Sequence, residues 1–240
     1  MEGIGGVVSS EQLGPTGFEY AKFREFMTAE APAAIAGARE AGATEFVVAD
    51  AHGTMQTLLI DRLPAGVTIV RGSPRPLMMM EGIDSSATFS AVKLNGRPMS
   101  ESSINATIAG YFGVPVVMVS GDEQAVGEVQ AFTGDVEGAV VKRPISFHAA
   151  AVKTPEASRA LIRAKAEAAV SRLKDFKPIS AAGPFALELS YKSYSPAEMM
   201  SYLPGTNRVD AHTIRFRAAS IVDISRFIEF AISYRADLTP

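Results

Sequence analysis

Residues 113–122, Gly113-Val-Pro-Val-Val-Met-Val-Ser-Gly-Asp122, decide the fold class. The run from Pro115 to Val119 is apolar without alternation, which is the pattern of a strand covered on both faces. Gly121 and Asp122 close it in a polar tip, and helical spacing resumes from Glu123 to Phe132. Upstream, Ile104, Ile108, Tyr111 and Phe112 share one face of a helix expected over Glu101 to Phe112. Helix, strand and helix in alternation argue an α/β fold with a mostly parallel central sheet flanked by helices.

The pattern extends in both directions. Phe89 to Leu94 reads as a strand, and Asn95-Gly96 is a strong hairpin signal because both residues tolerate positive φ. Val67 to Val70 and Glu45 to Asp50 read as further short strands, the second ending in the polar loop Asp50-Ala51-His52-Gly53. A long amphipathic segment, Phe18 to Ala41, predicts a helix kinked or broken at Pro32 and stopped by Gly42. Beyond Pro144 the texture changes. Pro155 to Lys174 is an Ala-rich helix, Phe185 to Tyr191 and His212 to Arg217 alternate like half-exposed strands, and Ser220 or Asp223 caps a last helix ending near Tyr234. The expected division is residues 1–145 as an α/β metal-site domain and 146–240 as a smaller α+β subdomain.

Composition narrows the function classes. Among 240 residues there is no cysteine, which excludes disulfides, cysteine zinc fingers and thiol nucleophiles. A net charge of −3 does not suit a nucleic-acid partner. No apolar run approaches the roughly 20 residues of a membrane span, and the opening residues do not read as a signal peptide. A cytoplasmic setting is the expectation. Walker A, GxGxxG, HExxH and GxSxG patterns are missing.

Open α/β sheets place ligands beyond the carboxyl ends of their strands. Asp50, His52 and Asp122 fall there, Glu101 opens a helix, and Glu2 lies in the glycine-rich start Met1-Glu-Gly-Ile-Gly-Gly6. Carboxylate and imidazole together suit Zn²⁺ or a similar divalent ion. Each residue also has a plain structural role open to it. Asp50 can cap its turn, Asp122 can cap a helix, and Glu101 is favoured at a helix start by the dipole alone. His148 and His212 lack acidic neighbours at ligand spacing, and Met78-Met79-Met80 suits a core or a subunit contact.

Several segments together resemble the D-aminopeptidase family of zinc metallopeptidases. They are Met1 to Gly6, Phe46-Val-Val-Ala-Asp-Ala-His-Gly53, Met79-Met-Glu-Gly-Ile83, Lys93-Leu-Asn-Gly-Arg-Pro-Met-Ser-Glu101, Ile104-Asn-Ala106, Gly113 to Asp122, Ala139-Val-Val-Lys142 and Leu203-Pro-Gly-Thr206, in family order. The resemblance implies that Glu2, His52 and Glu101 are metal ligands, and that two zinc ions per subunit assist hydrolysis of short peptides with an N-terminal D-amino acid. It further implies a ring-shaped homodecamer with an enclosed chamber, to which Leu77 to Met80 can contribute contacts.

Two departures accompany the resemblance. The family's metal-bridging Asp would precede Met1, together with a first strand. A strand and loop bearing a ligand His and a catalytic His find no counterpart where Asp84-Ser-Ser-Ala-Thr88 runs into Phe89. Either the intact protein carries more residues at these points, with a break in continuity expected near Ser85, or it is a catalytically degenerate binding or assembly protein on the same scaffold. The first is preferred, because losing a central strand leaves unpaired backbone groups and an apolar edge.

Overall fold

The computed structural model describes residues 3–12, 14–52, 56–72, 88–146, 149–180 and 182–233. In chain order these contain α1 (Tyr20–Glu40), β1 (Phe46–Ala49), β2 (Val67–Val70), β3 (Phe89–Leu94), β4 (Arg97–Pro98), α2 (Glu101–Tyr111), β5 (Met118–Asp122) and α3 (Glu123–Thr133). There follow β6 (Glu137–Ser146), β7 (Ala149–Val152), α4 (Pro155–Ser171), β8 (Phe185–Tyr191), α5 (Tyr194–Met200), β9 (Thr206–Arg208), β10 (Thr213–Ala218) and α6 (Ile221–Ser233). The break expected near Ser85 and the run Leu77 to Met80 lie outside the described residues.

The chain divides into two compact units, and it enters each of them twice. One comprises Met1–Ser73 and Val116–Lys177, the other Pro74–Pro115 and Pro178–Pro240. The division therefore differs from the single boundary expected at 145/146. The reason is that β3, expected to extend the α/β region, pairs instead with β8 from far along the chain.

In the first unit β1 pairs with β2 in parallel, β5 pairs with β6 in parallel, and β7 returns antiparallel along β6. Parallel pairing among the described residues is confined to these two short ladders; the largest sheet is antiparallel. β5 begins at Met118 rather than Pro115, because Pro115 has no N–H to donate and the ladder opens with Glu137 N–H on the Val117 carbonyl at 3.0 Å. Asp122 caps α3, its Oδ1 accepting the amides of Gln124 and Ala125 at 2.9 Å each. α1 runs through Pro32 unbroken. A proline in a helix interior costs roughly 3 kcal/mol, and here the neighbouring alanines and packing against α4 offset it. Gly37 marks that packing: a Cβ there would lie 2.0 Å from the Arg163 carbonyl oxygen.

The second unit is a five-stranded antiparallel sheet in the order β4-β3-β8-β10-β9. Asn95 at φ 51 and Gly96 at φ 79 form the expected hairpin turn. Along β8 the alternate residues Phe185, Leu187, Leu189 and Tyr191 are buried. They join Ile214 of β10 and Ile221, Ile224 and Ile228, which line one face of α6, to make the core of this unit. Ser220 caps α6, its Oγ accepting the Val222 amide at 3.0 Å.

Candidate metal centre

His52 stands on a loop whose geometry starts at the end of β1. The Asp50 amide extends the parallel ladder by donating to the Val70 carbonyl at 2.9 Å. Asp50 is 2% exposed, and its Oδ2 accepts the Leu58 amide at 2.8 Å. Thr57 Oγ1 donates to the His52 carbonyl at 2.9 Å, and Arg24 Nε of α1 donates to the Thr57 carbonyl at 2.8 Å. Thr28 Oγ1, also on α1, accepts the Leu59 amide at 3.0 Å. Asp50 thus organises the loop, the structural role its position allowed. The half-buried His52 is held by its backbone.

Glu101 is the first residue of α2. Ser100 caps the helix in reciprocal fashion with Ser103: Ser103 N–H donates to Ser100 Oγ at 3.3 Å, and Ser100 N–H donates to Ser103 Oγ at 2.7 Å. The partial positive charge at the helix start also favours an acidic residue at this position.

The turn that follows Glu2 is firmly seated. Ile4 and Val7 are buried with Phe23, and Gly6 takes φ +100. Gln12 Oε1 accepts the amides of Val8 and Ser9 at 2.8 and 2.9 Å, and Lys142 Nζ donates to the Val7 carbonyl at 3.0 Å. Gly5 N–H donates to Glu30 Oε1 at 3.3 Å. Glu30 and the pinning role of Lys142 were missed by sequence reasoning. The available signal was a carboxylate seven residues after Phe23, on the apolar stripe of α1.

Of the three expected ligands, His52 belongs to the first unit and Glu101 to the second, while Glu2 lies outside the described residues. Among the described residues no group of three His, Asp or Glu side chains forms a metal site. In kind the donors fit zinc, which takes imidazole nitrogen and carboxylate oxygen. His212 is structural, its ring Nδ1 lying 3.1 Å from the Tyr191 carbonyl. His148 lies outside the described residues.

A family model of the M55 peptidases, described as D-aminopeptidase, matches the chain in two stretches, residues 1–89 and 85–230. They meet where the sequence departs from the family pattern. The D-aminopeptidase of Bacillus subtilis (strain 168) is 29% identical over 248 residues, 93% of this chain and 90% of that protein. A solved structure, the Zn-dependent D-aminopeptidase DppA from Bacillus subtilis, a self-compartmentalizing protease, matches with a TM-score of 0.90 at 27% identity, over 100% of this chain and 97% of that one. The class so defined is that of an aminopeptidase, a hydrolase, and of the two readings open to the sequence this supports the enzyme. The chain belongs to the M55 family of D-aminopeptidases.

Proposed function

We propose that this protein is a zinc-dependent aminopeptidase that removes an N-terminal D-amino acid from short peptides, with Glu2, His52 and Glu101 as metal ligands and two zinc ions per subunit. The family match over nearly the whole chain carries the reading. Where zinc is bound, it supplies Lewis-acid character to a peptide carbonyl. The chain's own residues hold the ligands in place: Asp50 and Thr57 through the His52 loop, Ser100 through the helix start under Glu101, and the seated turn behind Glu2. A ring-shaped homodecamer enclosing the sites, in the cytoplasm, completes the reading. The description of the solved relative as self-compartmentalizing supports such an assembly, and an enclosed chamber restricts entry to small peptides.

The test is hydrolysis of dipeptides with D- or L-alanine first, with and without a blocked amino group, before and after chelation. Cleavage of the free D-peptide, abolished by chelator and restored by zinc, is expected. Efficient chelator-insensitive cleavage of blocked peptides overturns the proposal.

A further inference from the structure

The first half of β6 is paired on one side only. Glu137 N–H donates to the Val117 carbonyl at 3.0 Å, which turns the backbone groups of Glu137 toward β5. These groups alternate in direction along a strand, so those of Gly138 and Val140 point to the opposite edge, where β7 runs. β7 covers that edge only opposite Lys142 to Ser146, and one further bond, from Lys153 N–H to the Val141 carbonyl at 2.9 Å, closes the ladder. Thr154 then caps α4, its Oγ1 accepting the Ala157 amide at 3.3 Å, and Pro155 has no N–H with which to continue a strand. The chain turns away, and Gly138 and Val140 meet no strand on this side among the described residues.

A cleft of about 540 Å³ runs along the open edge, within the roughly 300–1,000 Å³ of ligand-binding clefts. Gly138 faces Val126 of α3, so Val140, two residues on, borders the cleft on the α3 side, and Leu161 of α4 borders it on the other. The charged side chains that line it are Lys142, Arg143 and Lys153, with no acidic residue among the described ones. Lys142 is engaged with the Val7 carbonyl. Arg143 meets Glu123 at 3.5 Å, both side chains being more than half exposed, and such a pair exchanges partners at little cost. Lys153 has no acidic partner among the described residues. Proteins guard open strand edges with charge, lysine above all. Guarding alone requires neither a cleft nor apolar walls.

We propose that this edge of β6 binds an extended acidic peptide segment. The segment adds as a strand along Gly138 and Val140, lays alternate side chains against Val140 and Leu161, and sets carboxylates against Lys153 and Arg143. Main-chain bonds supply affinity, and the cations select the charge of the segment. A second copy offering the same edge would bring like charges together, which disfavours it as the occupant. The inference is independent of the proposed activity.

The experiment is a fluorescence-anisotropy titration of the intact protein with a labelled short peptide of alternating Glu and Val. Its ends are acetylated and amidated, so that it offers no free amino group to a hydrolytic site. Saturable binding is expected, weakened by added salt and not shown by the matching Lys-Val peptide. Lys153→Glu should weaken it by about tenfold or more, whereas Lys174→Glu, an exposed charge reversal away from the cleft, should leave it unchanged. Methylating alternate amide nitrogens of the peptide, in the register that removes its donors to β6, should weaken binding as strongly, because the added strand then lacks its main-chain bonds. Circular dichroism confirms that the variants fold, and Arg143→Glu serves in place of Lys153→Glu if needed. No saturable binding, equal binding by Lys153→Glu and wild type, or undiminished binding of both N-methylated registers overturns the proposal. Self-association in sedimentation that Lys153→Glu abolishes, with no peptide bound, overturns it in favour of a second copy at this edge.

Discussion

The carboxylate of Asp50 accepts the amide of Leu58 at 2.8 Å, both residues being buried, and so ties the segment after His52 back to the end of β1. Removing the acceptor strands a buried N–H, at a cost of about 1–3 kcal/mol. Asp50→Ala should therefore lower unfolding stability by that amount in urea and weaken zinc binding along with it. Asp50→Asn, which keeps an oxygen acceptor, should lose less of both. Equal losses in the two variants would mean that the charge, rather than the hydrogen bond, organises the loop.

Glu30 predicts a pH dependence of stability. In the folded protein it holds its proton up to about pH 7, whereas the ordinary glutamate value is 4.5. Between these values the folded state binds more protons than the unfolded one, so stability falls as pH rises through the window from about 4.5 to 7. Glu30→Gln removes this slope and should exceed the wild type at pH 8 by roughly 2–3 kcal/mol. Urea unfolding at pH 5 and pH 8 reads the difference directly. Parallel pH profiles for the two proteins would rule out a half-buried, proton-retaining Glu30.

Gly37 offers a test of sign. In an exposed helix interior Gly→Ala stabilises by about 1 kcal/mol. Here the new methyl would lie 2.0 Å from the Arg163 carbonyl oxygen, with Arg163 carbonyl carbon at 2.9 Å and Glu167 N at 3.0 Å. Backbone cannot swing aside as a side chain can, so Gly37→Ala should destabilise by more than about 2 kcal/mol. A thermal scan showing a raised Tm would contradict the close approach of α1 to α4.

The histidines should separate by function. His52→Ala is expected to lose metal and activity together, because a catalytic zinc short of one ligand is weakly held and misshapen. His212→Ala should lose only stability, since its ring meets the Tyr191 carbonyl within the antiparallel sheet. His148→Ala should change activity little. Metal content by elemental analysis alongside turnover distinguishes these cases, and retention of zinc by His52→Ala would remove it from the ligand set.

Much of the local structure was legible in the residues. β2, β3 and β8 occupy the spans that their apolar runs predict, and the Asn95-Gly96 turn, the Asp122 cap and the Ser220 cap follow from side chains acting on their own neighbourhood. β6 and β7 were not foreseen. Glu137, Gly138, Lys142, Arg143 and Pro144 break any alternation in β6, and Ala149 to Ala151 read as readily helical as extended. Pairing with β5 settles β6, and β7 is extended because it pairs in turn with β6. Gly138 shows the same dependence, because it leaves room for Val126 Cγ1, which a Cβ would meet at 2.6 Å.

The sequence by itself determined the loop and the helix start that carry His52 and Glu101, because caps, turns and apolar periods act over a few residues. Which strand lies beside which was decided only in three dimensions. Phe89 to Leu94 carries the same local pattern whether it joins a parallel sheet or pairs with β8 about a hundred residues away, as the Ser90–Ser190 bond shows. Its choice depends on which partner buries Val92 and Leu94 against Leu187 and Leu189, a free-energy difference summed over contacts far apart in the chain. Glu30 belongs to the same category: a carboxylate on an apolar stripe acquires its meaning only when folding lays the Gly5 amide against it.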